Sequence, residues 1–252
     1  MSSVLALKDL VFGYPGQAAV LNAISFKLQR GERVGLIGPN GAGKTTLFLL
    51  ICGIVSAKSG KIEISGHPVL KGRFNPAVGM VFQHTADQLI CPTVREDIAF
   101  GPQNMGLSAE EVAGNVDRAA GATGITPLLE RVPHQLSSGE QRLVALAGVL
   151  AMQPELLILD EPTADLDLRY RRRLIKMLKE MEQNTMFTAS HDLEFILEVC
   201  TRVLVLDQGV IQADGEPAEV MSDRCLMVKH GLEVPHSLTA AWHRHATHTD
   251  CS

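Results

Sequence analysis

The residues best suited to chemistry lie in one short segment, Gly38-Pro39-Asn40-Gly41-Ala42-Gly43-Lys44-Thr45. The segment fits the pattern G-x-x-x-x-G-K-[ST], in which glycines let backbone N–H groups converge on phosphate oxygens. In this pattern the lysine reaches the β- and γ-phosphates, and the hydroxyl that follows, here that of Thr45, binds Mg²⁺. The segment therefore predicts a site for ATP or GTP with Mg²⁺.

A phosphate-binding loop needs a strand before it and a helix after it, because the helix N-terminus adds the positive end of its dipole. Residues 34–37 form an apolar run typical of a buried strand, and residues 46–51 have the composition of a helix. The alternative is a glycine-rich turn with a chance lysine. The order of strand, loop and helix favours the nucleotide site.

A second pair of candidate residues follows another apolar run. Residues 156–160 are typical of a buried strand, which ends in Asp160 and is followed by Glu161. Such a strand can deliver Asp160 beside Mg²⁺ and leave Glu161 to polarise an attacking water. A solvated strand end would also explain two acids, but their position downstream of a phosphate loop favours the catalytic interpretation.

The composition limits the other classes of function. The chain has 252 residues, 46% of them hydrophobic, and a net charge of −5, which allows a sizeable core and provides no basic block for nucleic acid. The five cysteines never form C-x-x-C, so we expect a reducing compartment and no disulfide framework. No signal peptide is visible, and the longest apolar run, residues 143–152, is shorter than the roughly 20 residues that span a bilayer.

The order of predicted elements indicates a mixed α/β core with an inserted helical segment. Strands are predicted near residues 4–10, 20–28, 61–66, 78–82, 156–160, 185–189 and 203–207. Thr93, Ser108 and Ser137 each stand where a helix can be capped. A basic amphipathic helix is predicted near residues 168–181. From about residue 229 the chain becomes polar and rich in histidine, which predicts a loosely ordered tail.

The segment Leu136-Ser137-Ser138-Gly139-Glu140 lies between these motifs. With a phosphate loop before it and an Asp-Glu strand after it, the chain resembles the ATP-binding cassette (ABC) ATPases, whose signature segment is usually Leu-Ser-Gly-Gly-Gln. Ser138 replaces a glycine and Glu140 replaces the glutamine. The serine and second glycine that contact phosphate in the family are present as Ser137 and Gly139. A simple helix N-cap would explain Ser137, but not its place between the other two motifs.

Other landmarks of this family occur in the same order. Tyr14 matches the aromatic residue that stacks on adenine, and Gln83 matches the glutamine that senses Mg²⁺ and the lytic water. Asp167 matches the aspartate at the dimer seam, and His191 matches the switch histidine that contacts the γ-phosphate. A turn tyrosine or a surface histidine would explain each residue alone, but not the ordered series.

The resemblance implies a set of site residues. The implied ATP-binding residues are Tyr14, Gly38, Pro39, Asn40, Gly41, Ala42, Gly43, Lys44, Thr45, Thr46, Ser137, Gly139 and Asp167. The implied Mg²⁺ ligands are Thr45, Gln83 and Asp160, and the implied catalytic residues are Glu161, His191 and Gln83. The reaction would be hydrolysis of ATP to ADP and phosphate, with Glu161 as general base.

The resemblance covers residues 1–228 and implies an α/β fold, a P-loop NTPase cassette with a RecA-like mixed sheet core and an antiparallel β subdomain. Its catalytic core would comprise residues 1–83 and 155–228, its inserted helical subdomain residues 84–154, and the polar tail residues 229–252. In this family the nucleotide lies between the phosphate loop of one cassette and the signature of another. A second ABC ATPase chain is therefore implied, and a homodimer is the expected form.

The family also implies membrane partners. ATP binding and hydrolysis would drive an integral membrane coupling subunit and a substrate-binding membrane subunit. The chain would then sit peripherally on the cytoplasmic face of the cell membrane.

The segment after Gln83 is similar to one subgroup. Asp87-Gln88-Leu89 and residues 147–152 resemble the energy-coupling-factor ATPases, and among these the cobalt and nickel uptake systems. The alternative interpretation of this segment is an importer cassette outside this subgroup, in which Asp87-Gln88 occurs by chance. An importer for a vitamin, amino acid or phosphate is the alternative for cargo. A soluble ABC protein that acts on ribosomes or DNA is the alternative for class, although such proteins usually hold two cassettes or a long coiled-coil insertion.

The C-terminal tail gives a separate hint of cargo. It contains a group of possible metal ligands, His236, His243, His245, His248 and Cys251. Imidazole and thiolate are preferred ligands of Ni²⁺, Co²⁺ and Zn²⁺. A disordered tail that happens to be rich in histidine is the simpler explanation, and we favour it.

Overall fold

A computed structural model describes residues 3–16, 19–181 and 185–242, with side chains to residue 239. The strands are β1 (Ser3–Phe12), β2 (Leu21–Gln29), β3 (Arg33–Ile37), β4 (Ser59–Ile64), β5 (His67–Pro68), β6 (Val78–Val81), β7 (Leu156–Asp160), β8 (Thr185–Ala189), β9 (Arg202–Asp207) and β10 (Val210–Gly215). The α-helices are α1 (Lys44–Ile51), α2 (Val94–Asn104), α3 (Ala109–Thr123), α4 (Ser138–Ala151), α5 (Leu168–Glu180), α6 (Leu193–Val199), α7 (Pro217–Ser222), α8 (Arg224–Lys229) and α9 (His236–Trp242). Short 3₁₀ helices occupy Thr85–Gln88, Thr126–Leu128 and Pro133–Gln135.

The strands form two sheets. One has four strands in the order β2-β1-β4-β5, and its pairs are antiparallel. The other has six strands in the order β10-β9-β3-β8-β7-β6, in which β9, β3, β8, β7 and β6 run parallel and β10 is antiparallel to β9. The carboxyl ends of β3, β7 and β8 therefore meet at one edge of the six-stranded sheet, where ligands of such sheets bind.

The six-stranded sheet separates two hydrophobic cores. Along β7 every residue is buried, as expected of a parallel strand covered on both faces. Leu157 and Leu159 pack into a core with α2 to α6, whereas Leu156 and Ile158 pack into a core with α1 and the antiparallel sheet. Alternate residues of β7 therefore pack on opposite faces of the sheet, one set against the helices and the other against α1 and the antiparallel sheet.

The helices between β6 and β7 begin where the sequence predicts. Thr93, Ser108 and Ser137 are the N-caps of α2, α3 and α4, and each forms a reciprocal capping box with the glutamate three residues later. Such a cap contributes about 0.5–2 kcal/mol to helix stability. The three helices share the first core through residues such as Ile98 and Val116. The predictions of α5 and of β1 to β4 and β6 to β9 are also confirmed.

The prediction of a loosely ordered tail from residue 229 is wrong for residues 229–242. His230 is 5% exposed, and its Nδ1 lies 2.8 Å from Asp207 Oδ2 at the end of β9. In α9 the Ser237 hydroxyl and backbone N–H both donate to Glu194. Leu232, among other apolar residues of this stretch, packs against the core. A few apolar contacts and hydrogen bonds therefore order this stretch despite its polar composition.

Two further features bear on the sequence predictions. Cys52, Cys91 and Cys200 are free, whereas Cys225 in α8 is disulfide-bonded, a bond that the cysteine spacing did not predict. Over the described residues, none of the helices combines the length and apolar character needed to cross a bilayer.

Candidate nucleotide site

Two glycines fix the phosphate loop between β3 and α1. Gly38 has a φ of 155°, and a Cβ at this residue would lie 1.9 Å from the carbonyl oxygen of Leu206. Gly43, the N-cap of α1, has a φ of 103°, and a Cβ would lie 2.9 Å from Leu21 Cδ2. Only glycine fits both positions. The loop therefore packs directly on β9 and β2, while Asn40 at its tip is exposed.

Lys44 is the cation of the loop and is 8% exposed. Its Nζ donates to the carbonyl oxygens of Gly38 at 2.7 Å and Pro39 at 3.0 Å, and lies 3.4 Å from His191 Nε2. Burial lowers the pKa of Lys44, and the negative fields of the two acids at the end of β7 oppose this shift. A cation held in the loop beside two carboxylates is suited to bridging phosphate oxygens.

Thr45 and Asp160 provide oxygen donors beside that cation. Thr45 Oγ1 donates to Asp160 Oδ2 at 2.7 Å. Burial raises the pKa of Asp160, and the hydrogen bond from Thr45 lowers it in part. Hydroxyl and carboxylate oxygens are the donors that Mg²⁺ prefers, so this pair fits a Mg²⁺ site. Such an ion would neutralise charge on the β- and γ-phosphates when bound.

Glu161 occupies a strained and buried position directly after β7. Its φ is 48°, in the left-handed region that non-glycine residues rarely adopt. Oε2 accepts hydrogen bonds from the His191 backbone N–H at 3.1 Å and the Ser190 hydroxyl at 3.4 Å. Oε1 is buried without a hydrogen-bond partner and lies 3.4 Å from His191 Nε2. Burial also raises the pKa of Glu161. An oriented carboxylate with one free oxygen is suited to accept a proton from water.

Arg142 is a site residue whose role the sequence pattern did not predict. It is 5% exposed, and its guanidinium donates to the carbonyl oxygens of Phe82 at 3.2 Å, Glu161 at 3.4 Å and Ala164 at 3.3 Å. Burial lowers its pKa. One side chain of α4 thus ties together the segments that follow β6 and β7. The available signal was a charged residue within an apolar helix directly after the signature.

Tyr14 lies beside the start of α1. Its hydroxyl is 3.3 Å from Thr46 Oγ1, and its ring makes an edge contact with Phe12 at a centroid distance of 5.0 Å. These contacts hold a half-buried aromatic ring next to the phosphate loop. The position is compatible with stacking on a base, which remains a prediction.

The signature residues form the N-terminus of α4. Ser137 Oγ donates to Glu140 Oε2 at 2.8 Å, while the N–H of Glu140 donates to Ser137 Oγ at 3.3 Å. Gly139 is packed under Tyr170, whose ring would lie 2.5 Å from a Cβ. Asp167 caps α5. Among the described residues, no hydrogen bond joins Ser137 or Asp167 to the phosphate loop of the same chain.

Gln83 is exposed after β6, and its side chain makes no hydrogen bond within the described ranges. The structure therefore does not bring it to Thr45 and Asp160. Gln88, which lies in the segment that resembles the energy-coupling-factor ATPases, binds the backbone at the end of β6. Its amide donates to Met80 O at 3.1 Å and accepts from Phe82 N at 3.2 Å.

The sequence of this chain is similar to those of known proteins. The model of the ABC transporter family matches residues 21–164. A putative ABC transporter ATP-binding protein of Synechocystis is 53% identical over 234 residues, which cover 93% of this chain and 82% of that protein. The energy-coupling factor transporter ATP-binding protein EcfA of Methanothermobacter thermautotrophicus is 42% identical over 239 residues, 92% of this chain and 77% of that protein.

A solved structure gives the same result for the fold. The structure of cbiO1 from Clostridium perfringens, part of the ABC transporter complex cbiONQ, superposes with a TM-score of 0.81 at 34% identity and covers 96% of this chain and 99% of that one. The expected ABC cassette fold is confirmed. With the phosphate loop, the Asp-Glu strand end and the switch histidine at one sheet edge, the chain belongs to the ABC transporter family, as an ATP-binding and ATP-hydrolysing member.

Proposed function

We propose that this chain is the ATPase subunit of an energy-coupling-factor type importer, and that its cargo is cobalt or nickel. The observation that carries the subtype is the 3₁₀ helix Thr85–Gln88, which begins two residues after Gln83 and contains Asp87 and Gln88. The similarity to EcfA and to cbiO1 supports the same assignment.

The proposed chemistry assigns one task to each group at the sheet edge. Lys44 and the loop amides hold the phosphates, and Thr45 with Asp160 holds Mg²⁺. Glu161 accepts the proton of the attacking water, since its free Oε1 is the available acceptor. His191, whose Nε2 is 3.4 Å from both Glu161 Oε1 and Lys44 Nζ, contacts the γ-phosphate.

Five residues complete the proposed site at its margins. Tyr14 stacks on adenine, and Gln83 reaches the ion once the site closes. Ser137 and Gly139 bind phosphate of the nucleotide held by the second chain. In the described residues, the Ser137 hydroxyl is bonded to Glu140 and not to the phosphate loop of its own chain. Asp167 lies at the seam between the two chains. We propose that the second chain is a copy of this one.

The proposed membrane partners dock near Gln83. Asp87 is exposed, and Ile90 is 66% exposed although it is apolar. Phe100 on α2 is 48% exposed. A charged residue and large apolar residues near the same segment support contact with a membrane coupling subunit, which in turn carries a substrate-binding subunit. The chain would then be held peripherally at the cytoplasmic face of the membrane.

The proposed cargo is supported by fewer observations than the importer subtype. It rests on the similarity to cbiO1 and on the histidines of the C-terminus. His243, His245, His248 and Cys251 lie outside the described residues. Within the described ones, no group of three or more His, Cys, Asp or Glu residues could hold a metal ion. The described part of the tail therefore adds no metal site to the proposal.

Purification from membranes tests the subtype. The tagged chain should sediment with membranes, and mild detergent should extract it with two integral membrane subunits. Recovery in the soluble fraction with ribosomes or DNA would contradict the proposal and favour the soluble rival.

An uptake assay tests the cargo separately. Cells with the intact system should accumulate ⁵⁷Co²⁺ or ⁶³Ni²⁺, and cells with Glu161→Gln should not. Membrane assembly without either uptake would keep the importer and reassign its cargo to a vitamin, amino acid or phosphate.

A further inference from the structure

The residue before Gln83 is held at both of its backbone polar groups by side chains from elsewhere in the fold. Phe82 N–H donates to Gln88 Oε1 at 3.2 Å, and Phe82 O accepts from Arg142 Nη1 at 3.2 Å. We propose that Gln88 and Arg142 form a clamp on Phe82 that positions Gln83 for hydrolysis, with Gln88 as a positioning residue. The inference rests on the proposed role of Gln83 at the Mg²⁺ site.

The Gln88 half of the clamp replaces a missing strand. β6 is at the end of the six-stranded sheet, so one of its edges has no neighbouring strand in the described sheet. On an edge, the carbonyl of one residue and the N–H of the residue two positions later face the same side. The Gln88 amide donates to Met80 O and accepts from Phe82 N, which is how a neighbouring strand would bind them. A side chain with both a donor and an acceptor can do this, and an ionised carboxylate cannot.

The Arg142 half of the clamp connects Phe82 to the chemistry. The same guanidinium also donates to the carbonyl oxygens of Glu161 and Ala164. Phe82 and Glu161 are therefore fixed relative to each other through one buried cation. Gln83 makes no side-chain hydrogen bond within the described residues, so its position depends on the backbone that the clamp fixes.

The 3₁₀ helix that carries Gln88 has buried residues on one side and exposed residues on the other. Thr85 and Leu89 are 5% and 4% exposed, whereas Asp87 and Ile90 are exposed. A force on the exposed side would reach Phe82 through Gln88, because both flanking residues are packed. The clamp thus joins the proposed docking surface to the backbone of the nucleotide site.

The test is a double-mutant cycle in steady-state ATP hydrolysis. Gln88→Ala should lower kcat by at least about tenfold, the scale of losing an outer contact to a metal site, and leave nucleotide affinity within about twofold, since Gln88 does not belong to the phosphate loop. Gln83→Ala should lower kcat similarly. The double variant should be no slower than Gln83→Ala, because Gln88 acts only through Gln83. Gln103→Ala, an exposed glutamine on α2, is the matched control and should match the unmutated chain.

Two further variants separate positioning from general stability. Gln88→Met keeps the side-chain volume and removes both hydrogen bonds, so it should reproduce the loss in kcat even if Gln88→Ala unfolds. Gln88→Glu keeps only the acceptor and should give an intermediate rate. Normal kcat in Gln88→Met, or rate losses of Gln83→Ala and Gln88→Ala that multiply, would overturn the clamp. Unchanged kcat in Gln83→Ala would refute the role of Gln83 itself, and absent metal uptake would refute only the cargo.

Discussion

Thr45 and Asp160 are 115 positions apart in the chain, and the hydroxyl of one donates a 2.7 Å hydrogen bond to the carboxylate of the other. The contact exists because β3 and β7 are parallel strands separated only by β8, so their carboxyl ends reach the same edge. It joins the phosphate loop to the Asp-Glu strand end and gives the site its two oxygen donors for Mg²⁺.

Thr45→Ala should raise the Mg²⁺ concentration needed for half-maximal hydrolysis by at least about tenfold, since one of the two oxygens is removed. Thr45→Ser keeps the hydroxyl and should stay close to the unmutated chain. A Mg²⁺ titration of ATPase activity measures both. Equal titration curves for Thr45→Ala and Thr45→Ser would show that this hydroxyl does not bind the ion.

Lys44→Ala should abolish hydrolysis, because the phosphate loop contains no other cation. Titration with a fluorescent ATP analogue should also show weaker binding. Lys58→Ala, which removes an exposed lysine, controls for loss of positive charge alone. Turnover by Lys44→Ala at the normal rate would contradict the assignment of the loop.

Glu161→Gln should make the folded protein more stable at neutral pH. Burial raises the pKa of Glu161, so the folded state binds the proton more tightly than the unfolded state, and stability falls as pH rises from the unfolded pKa through the folded pKa. The gain in the free energy of unfolding should be about 0.5–2 kcal/mol at pH 7.5, and it should vanish below the usual pKa of glutamate.

Thermal unfolding of both proteins between pH 4 and pH 8 measures this difference, in a buffer without nucleotide. Glu233→Gln changes an exposed glutamate that lies outside the helices and strands and should leave the free energy of unfolding unchanged. A loss of stability in Glu161→Gln at pH 7.5 would mean that the carboxylate is favoured rather than penalised by its surroundings.

Much of the site was predictable because its motifs are local. The phosphate loop, the Asp-Glu strand end and the helix caps each occupy a few consecutive residues, and a parallel α/β sheet brings strand ends together. The contacts of Gln88 and Arg142 were not predictable. Arg142 reaches Phe82 across 60 positions, and a glutamine beside a strand gives no sign of which backbone groups it binds.

Two parts of the fold were not predicted: a strand whose residues are mostly half-buried, and a polar stretch held by only a few buried residues. β10 (Val210–Gly215) is an edge strand whose residues are mostly half-buried, so it lacks the alternation of a strand with one buried face. The polar composition after residue 229 predicted disorder, but a buried His230–Asp207 pair and a few apolar side chains hold this stretch as far as residue 242.

Glu140→Gln should strengthen ATP-driven dimerisation by about two- to fivefold, because it removes a negative charge that would repel the phosphate. A charge at a helix N-terminus contributes about 0.3–1 kcal/mol. Hydrogen bonds from Ser137 lower the pKa of Glu140, so a carboxylate lies where the phosphate of the second chain is proposed to bind. Glutamine preserves the capping box. The same change should slightly destabilise α4, since the acid favours the helix dipole.

Analytical ultracentrifugation with ATP, in the hydrolysis-deficient Glu161→Gln background, measures the dimer dissociation constant. Glu110→Gln in the same background changes an acid on α3 instead and should have no effect. Weaker dimerisation in Glu140→Gln would place the signature away from phosphate.

The most direct measurement is the response of Glu161→Gln to ATP. If the site lies between two copies of this chain and Glu161 is the general base, the variant should lose hydrolysis by at least about 10²-fold and still bind ATP. It should elute as a dimer with ATP and Mg²⁺ and as a monomer with ADP. A variant that hydrolyses ATP at the normal rate and stays monomeric with ATP would contradict both the role of Glu161 and the shared site.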